Sequence, residues 1–229
     1  LGDILRSVSE AWNLIISFDG EIYGIIALSL IVTILSTGVS SLLGIPVGVV
    51  VGSKDFAGKK ILIRLVHTFM GLPPVVAGLV VYLFLSRKGP LGSLELLFTP
   101  VAMVIAQVII IFPIITGLTE ATVRLKSKAV QETCKGLGIG GIKTLRLLLH
   151  ECRYPIISTL LAGYGRAISE VGAVMLVGGN IQYHTRVMTT AIVLETGKGN
   201  YDKALALGTI LLTISFFVNW IVQRFQEDT

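Results

Sequence analysis

The chain has 229 residues, 53% of them hydrophobic and 14% charged, with a net charge of +5 and a mean hydropathy of +0.82. Soluble domains carry about 25% charged residues, so this composition excludes an ordinary globular core and points to an all-α chain that crosses a bilayer several times. The positive charge forms no basic stripe interleaved with aromatics, which gives nucleic acid no footing as a partner.

The chain opens with a segment of its own over residues 1–20. Ile4, Leu5, Val8, Ala11, Trp12, Ile15 and Ile16 follow helical spacing, with Asp3, Arg6, Glu10 and Asn13 on the other face. That pattern predicts an amphipathic helix lying on the membrane surface or packed on the bundle. No basic n-region or small-residue cleavage site opens the sequence, so no signal peptide is expected, and a start without Met leaves room for residues upstream.

Residues 21–229 read as one transmembrane domain with five apolar runs, at 22–51, 61–86, 94–118, 154–179 and 204–222. The first would be about 45 Å long as a helix, against a hydrocarbon core of about 30 Å. It is expected to tilt, protrude, or break near Gly44, Ile45 and Pro46. In the second, Pro73 and Pro74 interrupt the run near its middle, either freeing backbone groups toward a path or making a plain packing kink. Thr33, Ser36, Thr37 and Ser40 on the first run are candidates for lining such a path, although hydroxyls that bond back to their own helix are commoner.

Orientation follows from lysine and arginine. Lys54, Lys59 and Lys60 lie between runs one and two, and Arg124, Lys126, Lys128, Lys135, Lys143, Arg146 and Arg153 between runs three and four. Five crossings put these loops and the C-terminal end on one side, expected to be the cytoplasm, with the N-terminal end outside.

The loop at 124–153 holds two helical patterns around Gly136, Gly138, Gly140 and Gly141, where glycine permits a sharp turn. Spacing alone allows a basic connector or a rigid docking knob. Nucleotide chemistry is missing: the nearest approach to a P-loop, "SKDFAGKK" at 53–60, has Ser53 for the first glycine and Lys60 for the hydroxyl residue, so no amide cradle or Mg²⁺ ligand forms. His67, His150 and His184 are scattered, and Cys134 and Cys152 lack metal-ligand spacing, suggesting reduced thiols. Ser169 and Glu170 have no histidine nearby and no H-E-x-x-H occurs, so no catalytic site, metal or cofactor is expected on this chain.

Within the fourth run, "YGRAISEVGAVMLVGG" places Arg166 and Glu170 four residues apart. Each costs roughly 2.5–3.5 kcal/mol at a helix centre, and the spacing predicts a pair on one helix face that continues through Gly163, Ala173 and Val177. Three readings stay open: a structural tie to a neighbouring helix, a gate beside a translocation path together with Ser169, or a proton-carrying carboxylate of an ion-coupled carrier.

"ETCKGLG" at 132–138 resembles the E-A-A-x-x-x-G signature of ABC importer permeases. Glu132 and Gly138 match, Thr133 and Cys134 replace the alanines, and Leu148, His150 and Glu151 replace the downstream I-x-L-P. "GLPPVVAGL" and "RAISEVGAV" look like the molybdate, tungstate and sulfate branch, and the stretch from Val177 to Gly208 is similar to tungstate permeases. The resemblance implies a type I importer permease core and an ATPase-coupling role for Glu132, Gly136, Leu137, Gly138 and Gly140. Pro73, Pro74, Arg166, Ser169 and Glu170 stand, on the reading of the residues above, as the candidates for the pathway or its gate, and the resemblance implies a second copy of the chain and ATPase subunits that bind ATP and Mg²⁺. It further implies an extracytoplasmic oxyanion-binding protein, a prokaryotic inner membrane, and tungstate or molybdate as cargo. The rivals are an ion-coupled anion carrier, for which no internal repeat is seen, and a membrane-embedded enzyme.

Overall fold

Each of the five apolar runs becomes helix, but only three as one unbroken piece. The computed structural model describes residues 20–227; residues 1–19 of the expected amphipathic segment lie outside the described residues. Three helices are long and apolar enough to cross a membrane: α1 (Gly20–Ser53), α4 (Pro100–Gly136) and α9 (Tyr201–Glu227). The other two runs pass only as bent pairs: α2 (Lys59–Met70) with α3 (Pro74–Leu85), and α6 (Arg153–Ile168) with α7 (Gly172–Gly178). The connectors hold α5 (Ile142–Glu151) and α8 (Met188–Gly197). Leu42 on α1 and Leu212, Phe216 and Trp220 on α9 stand exposed, an apolar surface that belongs in lipid rather than water.

Three departures from the expected elements have physical causes. First, α1 does not break at Gly44–Pro46 but runs through Pro46 for 34 residues. Pro46 removes one helix hydrogen bond, yet Gly44, Gly48 and Gly52 form a ladder at four-residue spacing that lets α4 pack at backbone distance. A Cβ on Gly48 would lie 2.7 Å from the Thr116 carbonyl oxygen, and one on Gly52 would lie 2.8 Å from that of Glu120. Second, the first helical piece of the 124–153 loop is no separate element, because α4 continues as a 37-residue helix to Gly136. Third, the fourth run breaks between Ile168 and Gly172 with a bend of 56°, so the face predicted to run through Arg166, Glu170 and Ala173 is not continuous.

The helices gather into two compact units. Among the described residues, one holds 20–36, Pro73–Gln107 and 165–227; the other holds Thr37–Leu72 and Val108–Tyr164. In the first unit, α3 packs against α7 so closely that a Cβ on Gly78 would lie 2.6 Å from the Ala173 Cα. A separate cluster of Ile22, Ile25, Met188, Ala191, Ala206, Leu207 and Ile210 joins α1, α8 and α9. In the second unit, Val49, Val123, Leu148 and Cys152 seat α5 against α1 and α4. Lys126 Nζ donates to the Glu151 carbonyl at 2.6 Å and Gln131 Nε2 to the Ser53 carbonyl at 2.9 Å.

The glycine ladder makes a direct prediction. Gly48→Leu forces α1 off α4 and is expected to destabilise the protein by at least the 1–3 kcal/mol typical of overpacking, roughly. Gly24→Leu, where an added Cβ meets nothing within 4 Å, leaves the thermal unfolding midpoint in detergent close to wild type.

Candidate functional site

The bend between α6 and α7 frees backbone groups from the helix, and side chains complete them. Glu170 is buried and uses both carboxylate oxygens: Oε2 accepts from Arg166 Nη1 at 2.8 Å and Oε1 from the Ala173 amide at 3.0 Å. The pair predicted from four-residue spacing therefore forms even though the helix has already ended at Ile168. The Glu170 carbonyl accepts from Thr189 Oγ1 at 2.9 Å and the Ala167 carbonyl from Gln107 Nε2 at 3.0 Å. Ser169 is exposed, and its hydroxyl donates back to the Gly165 carbonyl.

The second break lies against the first. Pro73 is extended at φ −61° and ψ 129°, and Pro74 opens α3, where a missing N–H costs nothing. A Cβ on Gly172 would lie 2.9 Å from Val75 Cγ2 and 3.8 Å from Glu170 Oε1. The first turns of α3 and α7 thus stand side by side next to the Arg166–Glu170 pair. All five residues named for the pathway, Pro73, Pro74, Arg166, Ser169 and Glu170, fall at these two breaks.

Sequence reasoning missed Gln107, Ser29, Thr189 and Thr190. Ser36 Oγ donates to Gln107 Oε1 at 2.6 Å, so one amide bridges α1 and the end of α6. The buried start of α8 is finished by hydroxyls: the Met188 amide donates to Ser29 Oγ at 2.8 Å and the Val187 amide to Thr190 Oγ1 at 3.1 Å. Together Ser29, Thr33, Gln107, Glu170 and Thr189 line a cavity of about 10 Å³, at the lower limit for one water molecule and too small for a tetrahedral oxyanion. Gln107 had a signal: it is the lone amide in an apolar run, and an amide there demands partners as a charge does. Of the hydroxyls proposed to line a path, Thr33, Ser36 and Ser40 are buried.

In the second unit, Glu132, Gly136, Leu137, Gly138 and Gly140 are all exposed. The turn after α4 requires glycine twice, at Gly138 (φ 68°) and Gly141 (φ 61°), and the Ile139 amide closes it on the Cys134 carbonyl at 2.8 Å. Leu137 is 69% and Ile142 82% exposed, which makes the tip an apolar knob flanked by Lys135, Lys143 and Arg146. Behind it Cys134 and Cys152 are buried free thiols. Burial pushes the Cys152 thiol up, against the opposing pull of Lys126, which keeps it unreactive.

The turn from α8 to α9 is pinned by Glu195, which is buried and accepts from Lys198 Nζ at 2.9 Å and Asn200 Nδ2 at 2.8 Å. The Asn200 bond, followed by the Lys198 bond, holds its carboxyl below the ordinary value of about 4.5.

Residues 44–229 match the model of the binding-protein-dependent transport system inner membrane component family. A tungstate uptake system permease protein of Peptoclostridium acidaminophilum is 40% identical over 225 residues, covering 98% of this chain and 99% of that protein. A probable anion ABC transporter permease protein of Haloferax volcanii is 43% identical over 210 residues, 90% of each chain. A sulfate transport system permease protein of Synechocystis sp. is 26% identical over 204 residues, 86% of this chain and 71% of that one.

Two outcomes follow from the geometry. Glu170→Ala strands Arg166 and the Ala173 amide and costs about 3 kcal/mol, the lower end for breaking a buried pair, since Arg166 keeps 32% of its side chain exposed. Arg166→Ala costs at least as much, because the buried Glu170 carboxylate is left with the Ala173 amide alone; thermal unfolding of both variants in detergent ranks them. Glu195 has its folded pKa depressed, so its stabilisation is present above about pH 4.5 and is lost as pH falls through the lower folded value. Glu195→Gln is expected to flatten the fall of the unfolding midpoint below that pH.

Proposed function

This chain belongs to the family of binding-protein-dependent transport system inner membrane components, and we propose that it is the permease subunit of an ATP-driven importer for tungstate or molybdate. The observation that carries the cargo is the end-to-end likeness to a tungstate uptake permease. The ion-coupled carrier falls with the family assignment.

In this reading two copies enclose one pathway in the inner membrane of a prokaryote. The basic loops and the C-terminal end face the cytoplasm, and an extracytoplasmic binding protein delivers the oxyanion. Residues 21–229 act as one permease domain. The two breaks frame the path. The first turns of α3 and α7 present the positive ends of helix dipoles, and Arg166 adds a cation. Glu170 cancels much of that charge, so a dianion passes without being held, as a pathway must bind weakly enough to release. In the present conformation the polar centre around Gln107 is shut.

Energy arrives from outside the chain. ATP and Mg²⁺ reside on cytoplasmic ATPase subunits, which grip the exposed knob around Leu137 and Ile142. Its apolar tip seats in a cleft while Lys135, Lys143 and Arg146 meet an acidic rim. Closure of the ATPases around nucleotide then moves α4, which carries the knob.

Disrupting the gene and supplying nanomolar tungstate and molybdate together tests the cargo, with cell-associated tungsten and molybdenum read by elemental mass spectrometry. Selective loss of tungsten, restored by the intact gene, supports tungstate; loss of molybdenum alone reassigns the cargo, and loss of neither contradicts the proposal. For coupling, Ile142→Asp places a charge at the knob's apolar tip. It is expected to lower co-purification of the ATPase at least tenfold while leaving the unfolding midpoint of the permease within about 0.5 kcal/mol equivalent of wild type, as for an exposed position.

A further inference from the structure

Three carboxylates are buried among the described residues, Glu120, Glu170 and Glu195, and only Glu120 leaves both oxygens without a hydrogen bond. Its nearest cationic groups form only loose ion pairs with it, without a hydrogen bond. Arg124 Nε lies 3.4 Å from Oε1 and His67 Nε2 lies 4.0 Å from Oε2, while their own side chains are 56% and 48% exposed. Charge-assisted hydrogen bonds close to about 2.7–2.9 Å, as Arg166 and Glu170 do at 2.8 Å. A buried carboxylate left in this condition is a reservoir of unfavourable energy and calls for an explanation.

Its place in the fold supplies one. Glu120 sits where α1 and α2 both pack closely on α4. A Cβ on Gly52 of α1 would lie 2.8 Å from the Glu120 carbonyl oxygen, and one on the adjacent Gly117 would lie 2.5 Å from Met70 Sδ of α2. Nothing titratable reaches the carboxylate from the glycine ladder of α1; His67 on α2 and Arg124 on α4 are the groups that face it. From Glu120 the same helix runs without interruption to the knob at Gly136, and α2 ends at Met70, just before the break at Pro73.

We infer that Glu120 is a positioning residue for transport, a contact that exchanges partners as α4 moves against α2. A shift of about 1–2 Å of α4 against α2 brings His67 into bonding distance, while Arg124, which shares α4 with Glu120, closes on it by a change of its own side-chain rotamer. Packed helices switch between discrete arrangements of this size rather than deforming continuously. The conformation described here holds Glu120 unsatisfied and is raised in energy by it. The alternative closes the ion pair and is lowered. The carboxylate thereby biases the resting permease away from the present arrangement, and force applied at the knob works against that bias. This inference rests on the permease reading above.

The test uses the whole transporter, reconstituted in vesicles with its ATPase subunits and binding protein and supplied with tungstate. Glu120→Gln keeps the shape and removes the charge, so the present arrangement is no longer disfavoured and the cycle stalls in it. The expected result is an approximately tenfold fall in binding-protein-stimulated ATP turnover and in tungsten uptake, with unchanged KM for ATP and unchanged amounts of assembled complex. Glu120→Asp, which restores the charge, recovers a substantial part. A purely structural carboxylate gives another pattern: Glu120→Gln turns over at the wild-type rate, or loses activity only in proportion to lost complex, or Asp gives no recovery. Any of these overturns the inference while the wild-type uptake upholds the permease reading. Absence of ATP-dependent uptake by the wild-type complex overturns both.

Discussion

A helix broken inside a bilayer survives only where something other than water completes its backbone, because each unpaired group costs several kcal/mol in hydrocarbon. That constraint explains why polar side chains collect where they do. Gln107 takes the Ala167 carbonyl, Thr189 takes the Glu170 carbonyl, and the Glu170 carboxylate takes the Ala173 amide. Ser29 and Thr190 finish the start of α8 in the same way. Removing any one of them leaves a backbone group without its partner. The break is therefore a built element held by a handful of bonds, and bonds of that number can be remade. Arg166 and Glu170 belong to this scaffolding.

The unbroken helices do the opposite work. At 37 residues, α4 extends about 55 Å at 1.5 Å per residue, more than the membrane needs, and the surplus ends in the glycine turn that presents the knob. A rigid rod carries displacement from the knob into the membrane better than a jointed one. The ladder of Gly44, Gly48 and Gly52 keeps α1 against that rod at backbone distance, with Thr116, Thr119 and Val123 filling the grooves. Pro46 is tolerated because the packing, rather than one hydrogen bond, holds α1 together.

Much of this architecture was legible in the sequence. Hydropathy located all five runs, the Pro73–Pro74 pair marked a break, and the glycine cluster marked a turn whose positive φ falls at Gly138 and Gly141. The break in the fourth run was illegible because the spacing of Arg166 and Glu170 suits a continuous helix, and the pair forms across the break all the same. Gly44 and Pro46 read as weakness because local propensity cannot see a partner helix; tertiary packing reversed the outcome. Gln107 escaped because attention went to charges, although an uncharged amide in hydrocarbon has the same need for partners. Selectivity between oxyanions left no trace to read, since a path that must release its cargo has no need of a tight site.

The central claim is that the paired breaks border an aqueous pathway, and Ser169 tests it most directly. Its side chain is exposed beside Glu170, and the native thiols Cys134 and Cys152 are buried, so background labelling is low. In membranes holding the assembled transporter, Ser169→Cys should react with a water-soluble, membrane-impermeant thiol reagent, at a rate that changes when ATP, binding protein and tungstate are added together. Reaction with a lipid-soluble reagent alone, unchanged by that addition, would place the breaks against lipid and contradict the account.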